Sequence, residues 1–280
     1  MAGTLYLVPT PIGNLGDIST RTVDVLTAVD FIAAEDTRVS LKLLNHLSIK
    51  KPLVSYYRHN TQQSGQAILA RLLSGECCAL VTDAGTPAVS DPGEDLVALC
   101  AAHQVEVVAL PGPCALITAL SISGLPTGRF TFEGFLAMNK KNRQAHLASL
   151  AQETRTMIFY EAPHKLCATL RDLAGTFGGT RRIALCRELT KLHEEVRRTT
   201  LEEAVQWYAI NQPKGEFVLV VAGAAPQEED RPTIEEGVKQ VSALVAEGWS
   251  LRDAAKQIAE TTGLPKRALY QQALINQPKS

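Results

Sequence analysis

Short apolar runs rich in β-branched residues recur through the first half of the chain, at residues 4–8, 31–34, 53–56, 77–82 and 106–110, and each predicts a strand. Between them the apolar positions switch to helical spacing. Residues 66–73, for example, place Ile68, Leu69, Leu72 and Leu73 on one face and stop before Gly75, a helix terminator. Strand, helix, strand repeated in this way predicts an α/β domain with a mainly parallel sheet covered by helices.

A second series of strands is predicted at 131–135, 157–160, 182–187, 195–199 and 216–222. A single helix, 201–210, separates the last two, and 195–199 is polar enough for an edge strand, so this second α/β domain is expected to carry a mixed sheet. The boundary is expected near 125–128, giving domains of 1–125 and 126–223 with a ligand cleft between them. Residues 224–232, rich in Ala, Pro and acid, predict a linker. Beyond it, helices at 234–247, 251–260 and 265–275 make a small helical domain over 233–280. Ser250 followed by Asp253 suggests a variant capping box, and Gly248 closes the helix before it. Ala259 and Gly263 flank a tight turn that suits a helix-turn-helix in contact with nucleic acid, or equally a structural three-helix bundle.

With 280 residues, 45% of them hydrophobic and 20% charged, the chain can bury two ordinary cores. No apolar stretch approaches the roughly 20 residues of a membrane helix, so no membrane association is expected. Met1-Ala2-Gly3-Thr4 shows no basic segment leading into an apolar one, and the expected location is the cytoplasm. None of the six cysteines shows C-x-x-C spacing; reduced thiols and no metal site are expected. The net charge of −1 gives no global pull on nucleic acid, so any RNA contact must come from a local basic surface.

The chemistry-bearing segments lie just after the predicted strands. A strand, a glycine-containing turn and the acids Glu35-Asp36 faintly suggest a dinucleotide site, but Gly13 and Gly16 lack the G-x-G that brings backbone against a pyrophosphate. Long small-residue loops follow at 81–93 and 110–115, at the strand ends where open α/β sheets hold ligands. Pro9-Thr10-Pro11-Ile12-Gly13-Asn14-Leu15, Ala34-Glu35-Asp36-Thr37-Arg38, Thr82-Asp83-Ala84-Gly85-Thr86-Pro87, Ser90-Asp91-Pro92-Gly93, Phe159-Tyr160-Glu161-Ala162-Pro163-His164 and Arg187-Glu188-Leu189-Thr190-Lys191 run in order along the chain. Together they resemble the tetrapyrrole methylase superfamily and, within it, the branch that methylates small-subunit ribosomal RNA. The departures are small: Thr82 stands where that pattern often has Ser, and Lys165 where it often has Arg.

The resemblance implies two α/β domains with S-adenosyl-L-methionine between them. It also implies 2′-O-methylation of a decoding-site cytidine in 16S rRNA, and a homodimer. Carried over by position, cofactor contacts fall on Ile12, Asp83, Thr86, Cys114, Ala115, Tyr160, Cys186 and Glu216. Asp83 reads alternatively as a turn cap. Methylation of a hydroxyl needs charge stabilisation and a proton acceptor, for which Asp36, Arg38, Glu161 and Lys191 are candidates, with Glu35, His164 and Glu194 behind them. Glu161 and His164 read equally as helix N-terminal caps, and Asp36 with Arg38 as a simple pair. Candidate RNA contacts are Arg21, Arg58, Lys140, Lys141, Arg143, Arg197 and Arg198, with Tyr56, Tyr57 and His59 as stacking surfaces.

Overall fold

Five strands, β1 (Thr4–Leu7), β2 (Phe31–Ala34), β3 (Leu53–Ser55), β4 (Cys78–Val81) and β5 (Glu106–Ala109), alternate with five helices, α1 (Thr20–Ala28), α2 (Thr37–His46), α3 (Thr61–Leu73), α4 (Glu94–Ala102) and α5 (Ala115–Ile122). The computed structural model describes residues 2–58, 60–225 and 233–276. The stacking surface expected of His59 and most of the expected linker, 226–232, lie outside them. The strands form a fully parallel sheet in the order β3-β2-β4-β1-β5. Alternation along β2 shows how it is covered. Phe31 and Ala33 join Ile68, Leu72 and Leu96 from α3 and α4, while Ile32 and Ala34 join Leu26 and Leu44 from α1 and α2.

The second sheet is mixed, as its sequence pattern predicts. Strands β6 (Phe130–Phe135), β7 (Thr156–Glu161), β8 (Arg182–Arg187), β9 (Glu195–Thr200) and β10 (Phe217–Val221) lie in the order β6-β7-β10-β8-β9, with only β6 and β7 parallel. The polar β9 is an edge strand. Helices α6 (Lys140–Ser149), α7 (Pro163–Phe177) and α8 (Leu201–Ile210) cover one face through Leu147, Leu170, Leu173 and Leu201. The other face, Ile158, Cys186, Val218 and Val220, is covered by Leu116, Ala119 and Leu120 of α5. Helix α5 thus precedes residue 125 in the chain yet packs on the second sheet, which fastens the two sheets together.

The chain divides into two units, Met1–Ala224 and Ala225–Ser280. In the second, α9 (Ile234–Ala246), α10 (Leu251–Thr262) and α11 (Lys266–Ile275) pack around Val238, Val241, Ala255, Ile258 and Leu269. Gly237 permits the close approach: a Cβ there would stand 2.6 Å from Leu264 Cδ1 and 2.7 Å from Leu269 Cδ2. Thr233 and Glu236 form a full capping box on α9. The one expected at Ser250 is only half present. The Asp253 amide donates to Ser250 Oγ at 3.1 Å, but the Asp253 carboxylate accepts from the same hydroxyl at 2.6 Å. Aspartate is one methylene too short to reach the cap's backbone as glutamate does.

Leu219 is fully buried in β10, at the centre of the second sheet. Leu219→Ala should cost about 2–5 kcal/mol in urea unfolding, whereas Leu73→Ala on the solvent face of α3 should stay within about 0.5 kcal/mol of the parent. Equal losses from the two would contradict this placement of the core.

Candidate active site

The loops after β1 and β4 leave neighbouring parallel strands yet join in an antiparallel bridge. Thr10 N–H donates to Gly85 O at 2.9 Å and Gly85 N–H to Thr10 O at 3.0 Å. Gly85 sits at φ +89°, a left-handed conformation that lets its loop fold back and that a residue with a Cβ would adopt only under strain. On one side of this bridge lies a cavity of about 400 Å³, walled by Ile12, residues 84–86, Cys114, Ala115, Tyr160, Leu189 and Val218. Tyr160 is held upright: its hydroxyl accepts from the Leu116 amide at 3.1 Å, and Phe132 and Phe135 meet its ring edge-on at 5.0 and 5.5 Å. Thr86 Oγ1 donates to Pro113 O at 2.9 Å and ties two of the walls.

Of the residues carried over as cofactor contacts, Ile12, Thr86, Cys114, Ala115, Tyr160 and Glu216 line this cavity. Cys186 does not. It is fully buried on β8 against Ala119 of α5, and that burial pushes its thiol pKa up to about 11. Asp83 turns instead into a second cavity of about 300 Å³ on the far side of the bridge, where its Oδ1 accepts from the Asp36 amide at 3.1 Å.

Among the catalytic candidates, Glu161 and Lys191 reach the main cavity. Glu161 is 4% exposed and already engaged: one oxygen accepts from the Ala162 amide at 2.8 Å, the other from the Thr169 hydroxyl at 2.5 Å. Those bonds tie the end of β7 to α7. Lys191 Nζ lies 2.9 Å from Glu188 Oε1 and 2.8 Å from Glu216 Oε2. Burial lowers its pKa, but the hydrogen bonds to Glu216 and Glu188 more than offset this and leave it raised. Lys191 is therefore a fixed cation and not a proton acceptor. Asp36 and Arg38 stand outside the cavity as a bidentate pair, 3.0 and 2.6 Å, which holds the Asp36 carboxyl down at about 2. Asp36 also caps α2 through the Arg38 amide at 2.8 Å.

One cavity residue escaped the sequence reading. Asp91 lies in the quoted Ser90-Asp91-Pro92-Gly93 run and lines the main cavity. Burial first, then the nearby Glu35 and Asp83 charges, raise its pKa to about 6, against the opposing pull of Arg58 and Thr82. An acid beside a proline in a strand-end loop was the available signal; its proximity to Glu35 and Asp83 is tertiary. Ala88, Ser90, Glu188 and Thr190, in the two loops flanking this cavity, all hold positive φ, between 51° and 69°. Strained non-glycine backbone of this kind concentrates at ligand sites.

The basic residues divide into two groups. Arg21, Lys140 and Lys141 are exposed, and Arg58 is exposed with a 3.4 Å hydrogen bond to Ser90 O. Arg143 pairs with Asp172 at 2.6 Å, Arg197 pairs with Glu195 and stacks 3.7 Å over Trp207, and Arg198 holds the Ser123 carbonyl at the end of α5. In the helical unit Arg252, Lys266, Arg267 and Tyr270 surround a shallow cavity. Among the described residues no helix is long and apolar enough to cross a membrane.

The pKa of Asp91 generates a stability prediction. Well below pH 4 the aspartic acid is neutral whether folded or unfolded; from about pH 4 up through about pH 6 the folded form holds the proton more tightly, so stability falls as pH rises until both forms are ionised. Asp91→Asn should therefore melt above the parent at pH 7.5 and approach it near pH 3. A constant difference across that range would contradict the assigned shift.

The family model of the tetrapyrrole (corrin/porphyrin) methylases matches residues 4–205, and that of the RsmI C-terminal HTH domain matches residues 232–277. The ribosomal RNA small subunit methyltransferase I of Synechocystis sp. is 53% identical over 97% of this chain and 98% of its own length. The protein of that name from Pseudomonas aeruginosa is 47% identical over 100% and 99%. The solved uroporphyrin-III C-methyl transferase from Thermus thermophilus, complexed with S-adenyl homocysteine, shares the fold with a TM-score of 0.55 at 17% identity, covering 78% of this chain and 97% of that one. By these full-length identities, the chain belongs to the ribosomal RNA small subunit methyltransferase I family of the tetrapyrrole methylases.

Proposed function

We propose that this protein transfers a methyl group from S-adenosyl-L-methionine to the ribose 2′-hydroxyl of a decoding-site cytidine in 16S rRNA. The observation that carries this reading is the main cavity, which combines apolar walls with one fixed cation and one weakly acidic carboxyl. Its roughly 400 Å³ falls in the range of small-molecule sites. Ile12, Val89, Tyr160 and Val218 suit a nucleoside's flat faces, Thr86 offers a hydroxyl, and the Asp91 and Glu216 carboxylates suit a ligand carrying positive charge. The residues present therefore fit the cofactor.

When bound, the cofactor supplies an electrophilic sulfonium methyl. The chain's residues supply positioning, charge and a place for the proton. Tyr160, locked by Leu116 and two phenylalanines, sets the wall against which the ligand is oriented. As the new O–C bond forms at the ribose oxygen, the hydroxyl proton must leave, and Asp91 is the cavity carboxylate matched to accept it near neutral pH. Lys191, held as a cation by Glu188 and Glu216, stabilises negative charge developing on that oxygen.

The same reading makes the protein a cytoplasmic homodimer whose partner is the small ribosomal subunit. Of the basic candidates, Arg21, Arg58, Lys140 and Lys141 are exposed and suit contact with RNA, and Arg252, Lys266 and Arg267 extend the role to the helical unit.

Incubation with methyl-labelled S-adenosylmethionine and small ribosomal subunits, followed by nucleoside analysis, should yield 2′-O-methylcytidine; label on a base would overturn the reading. Lys191→Ala should lower kcat by about 10²-fold or more. The parent's rate should fall as pH drops through about 6, the ionisation of Asp91, and Asp91→Asn should lose that limb along with most activity. Truncation after Ala225 should retain cofactor affinity and raise KM for subunits more than it lowers kcat. A wild-type KM in the truncated protein would remove the helical unit from RNA binding.

A further inference from the structure

Phe135 lines the main cavity and yet is 57% exposed. An exposed phenylalanine on its own calls for no explanation; the backbone that puts this one there does. Strand β6 pairs with β7 as far as Phe132, opposite Ile158, and then skips a residue, so that Gly134 meets Phe159 and Phe135 meets Tyr160. Strict alternation would put residues 132 and 135 on opposite faces of the sheet, and Phe135 on the face of Glu133, which bonds to His146 of α6 at 2.9 Å. The extra residue cancels that offset. Ile158 and Tyr160 are two apart on β7, and Phe132 and Phe135 both reach the Tyr160 ring, at 5.0 and 5.5 Å. A bulge between parallel strands is rare, and bulges beside active sites re-aim a side chain. Here Gly134 takes up the irregularity at φ +63°, and Leu136, 5% exposed in the core beneath α6 to α8, anchors the strand beyond it.

The other rings of the cavity, among the described residues, are withdrawn from its mouth. Phe217 is buried, and Tyr160 is half-buried with its hydroxyl held by the Leu116 amide. Phe135 is therefore the ring the cavity presents to a ligand arriving from solvent. Its place bears on the chemistry as well. A Cβ on Gly134 would lie 3.7 Å from Ser90 Oγ, so the end of β6 abuts the loop that carries Asp91.

We propose that Phe135 is the platform on which the base of the acceptor nucleotide stacks, with the ribose directed inward to Asp91 and Lys191. The proposal rests on the ribose-methylation reading above and identifies how that site takes its nucleotide. A concave cavity admits a sugar only when its nucleotide leaves the stack of its neighbours, and the lost stacking then needs a replacement. An aromatic side chain replaces it, since every base has a flat face to offer. The edge-on contact with Tyr160 fixes the Phe135 ring before the nucleotide arrives, which reduces the ordering left to be done on binding.

Full-length wild-type, Phe135→Ala, Phe135→Leu and Phe135→Trp proteins are compared for binding to small ribosomal subunits and for methyl transfer to them. Affinity for S-adenosylmethionine by calorimetry, Tm and mass in solution are measured alongside. Phe135→Leu keeps an apolar group against Tyr160 and removes only the ring, so its fold should survive even if that of Phe135→Ala does not. The subunit Kd should rise about tenfold in Phe135→Leu and Phe135→Ala and be restored in Phe135→Trp, with cofactor affinity and mass unchanged in all three. A wild-type subunit Kd in Phe135→Leu would make the residue a packing group and overturn the proposal. Loss of cofactor affinity in Phe135→Leu would assign the ring to the cofactor, and a reduced mass would assign it to a second copy of the chain; either overturns it too. Ring-dependent binding with label on a base would refute the ribose reading and leave the platform standing, whereas ribose methylation with Phe135→Leu equal to the parent would do the reverse.

Discussion

Two hydrogen bonds between Thr10 and Gly85, at 2.9 and 3.0 Å, govern the geometry of both cavities. They join loops that leave adjacent parallel strands, and parallel strands pair in one direction only; an antiparallel bridge beyond their ends requires one loop to double back. Gly85 at φ +89° provides that reversal. Once the loops are zipped, Ile12, Ala84 and Gly85 line one cavity and Thr10, Pro11, Gly13, Thr82 and Asp83 the other. A single ribbon is thereby shared by two cavities. Helix α5 completes the arrangement, because its packing on the second sheet brings Tyr160, Leu189 and Lys191 up to the strand ends of the first.

Electrostatics then differentiate groups of similar composition. Asp36 is matched by Arg38 and stays strongly acidic, while Glu35, Asp83 and Asp91 are desolvated near one another and hold their protons more tightly. Across the main cavity Lys191 is clamped between two carboxylates and kept positive. One face of the cavity thus carries a group able to take a proton near neutral pH and the other a group that keeps its charge. The pairing suits the hydroxyl acceptor of the proposed reaction, and it follows from burial and neighbours more than from residue type.

The sheet architecture was legible because branched apolar runs and helical spacing alternate cleanly, and even the edge position of β9 follows from the polarity of Glu195, Arg197 and Arg198. The start of α3 at Thr61, five residues before its apolar stripe at 66, was not, since its first turn is polar. The β-bulge between Phe132 and Gly134 likewise leaves no local mark. At the site, loops rich in Gly and Pro announced themselves, but side-chain direction did not. Asp83 and Gly85 are two residues apart and serve opposite cavities. Cys186 sits in a strand near the cavity and faces away into α5. Asp91 gains its character wholly from tertiary burial and from its neighbours Glu35 and Asp83.

On the proposed reading, the Thr10–Gly85 ribbon separates a cofactor cavity from one that the cofactor does not enter. Hydrogen–deuterium exchange of the full chain with and without S-adenosylmethionine measures this directly, peptide by peptide. Slowed exchange is expected in peptides spanning 84–90, 112–118 and 156–162, with the peptide over α2 at 37–46 unchanged. Protection concentrated at 37–46, with the other three unaffected, would contradict it.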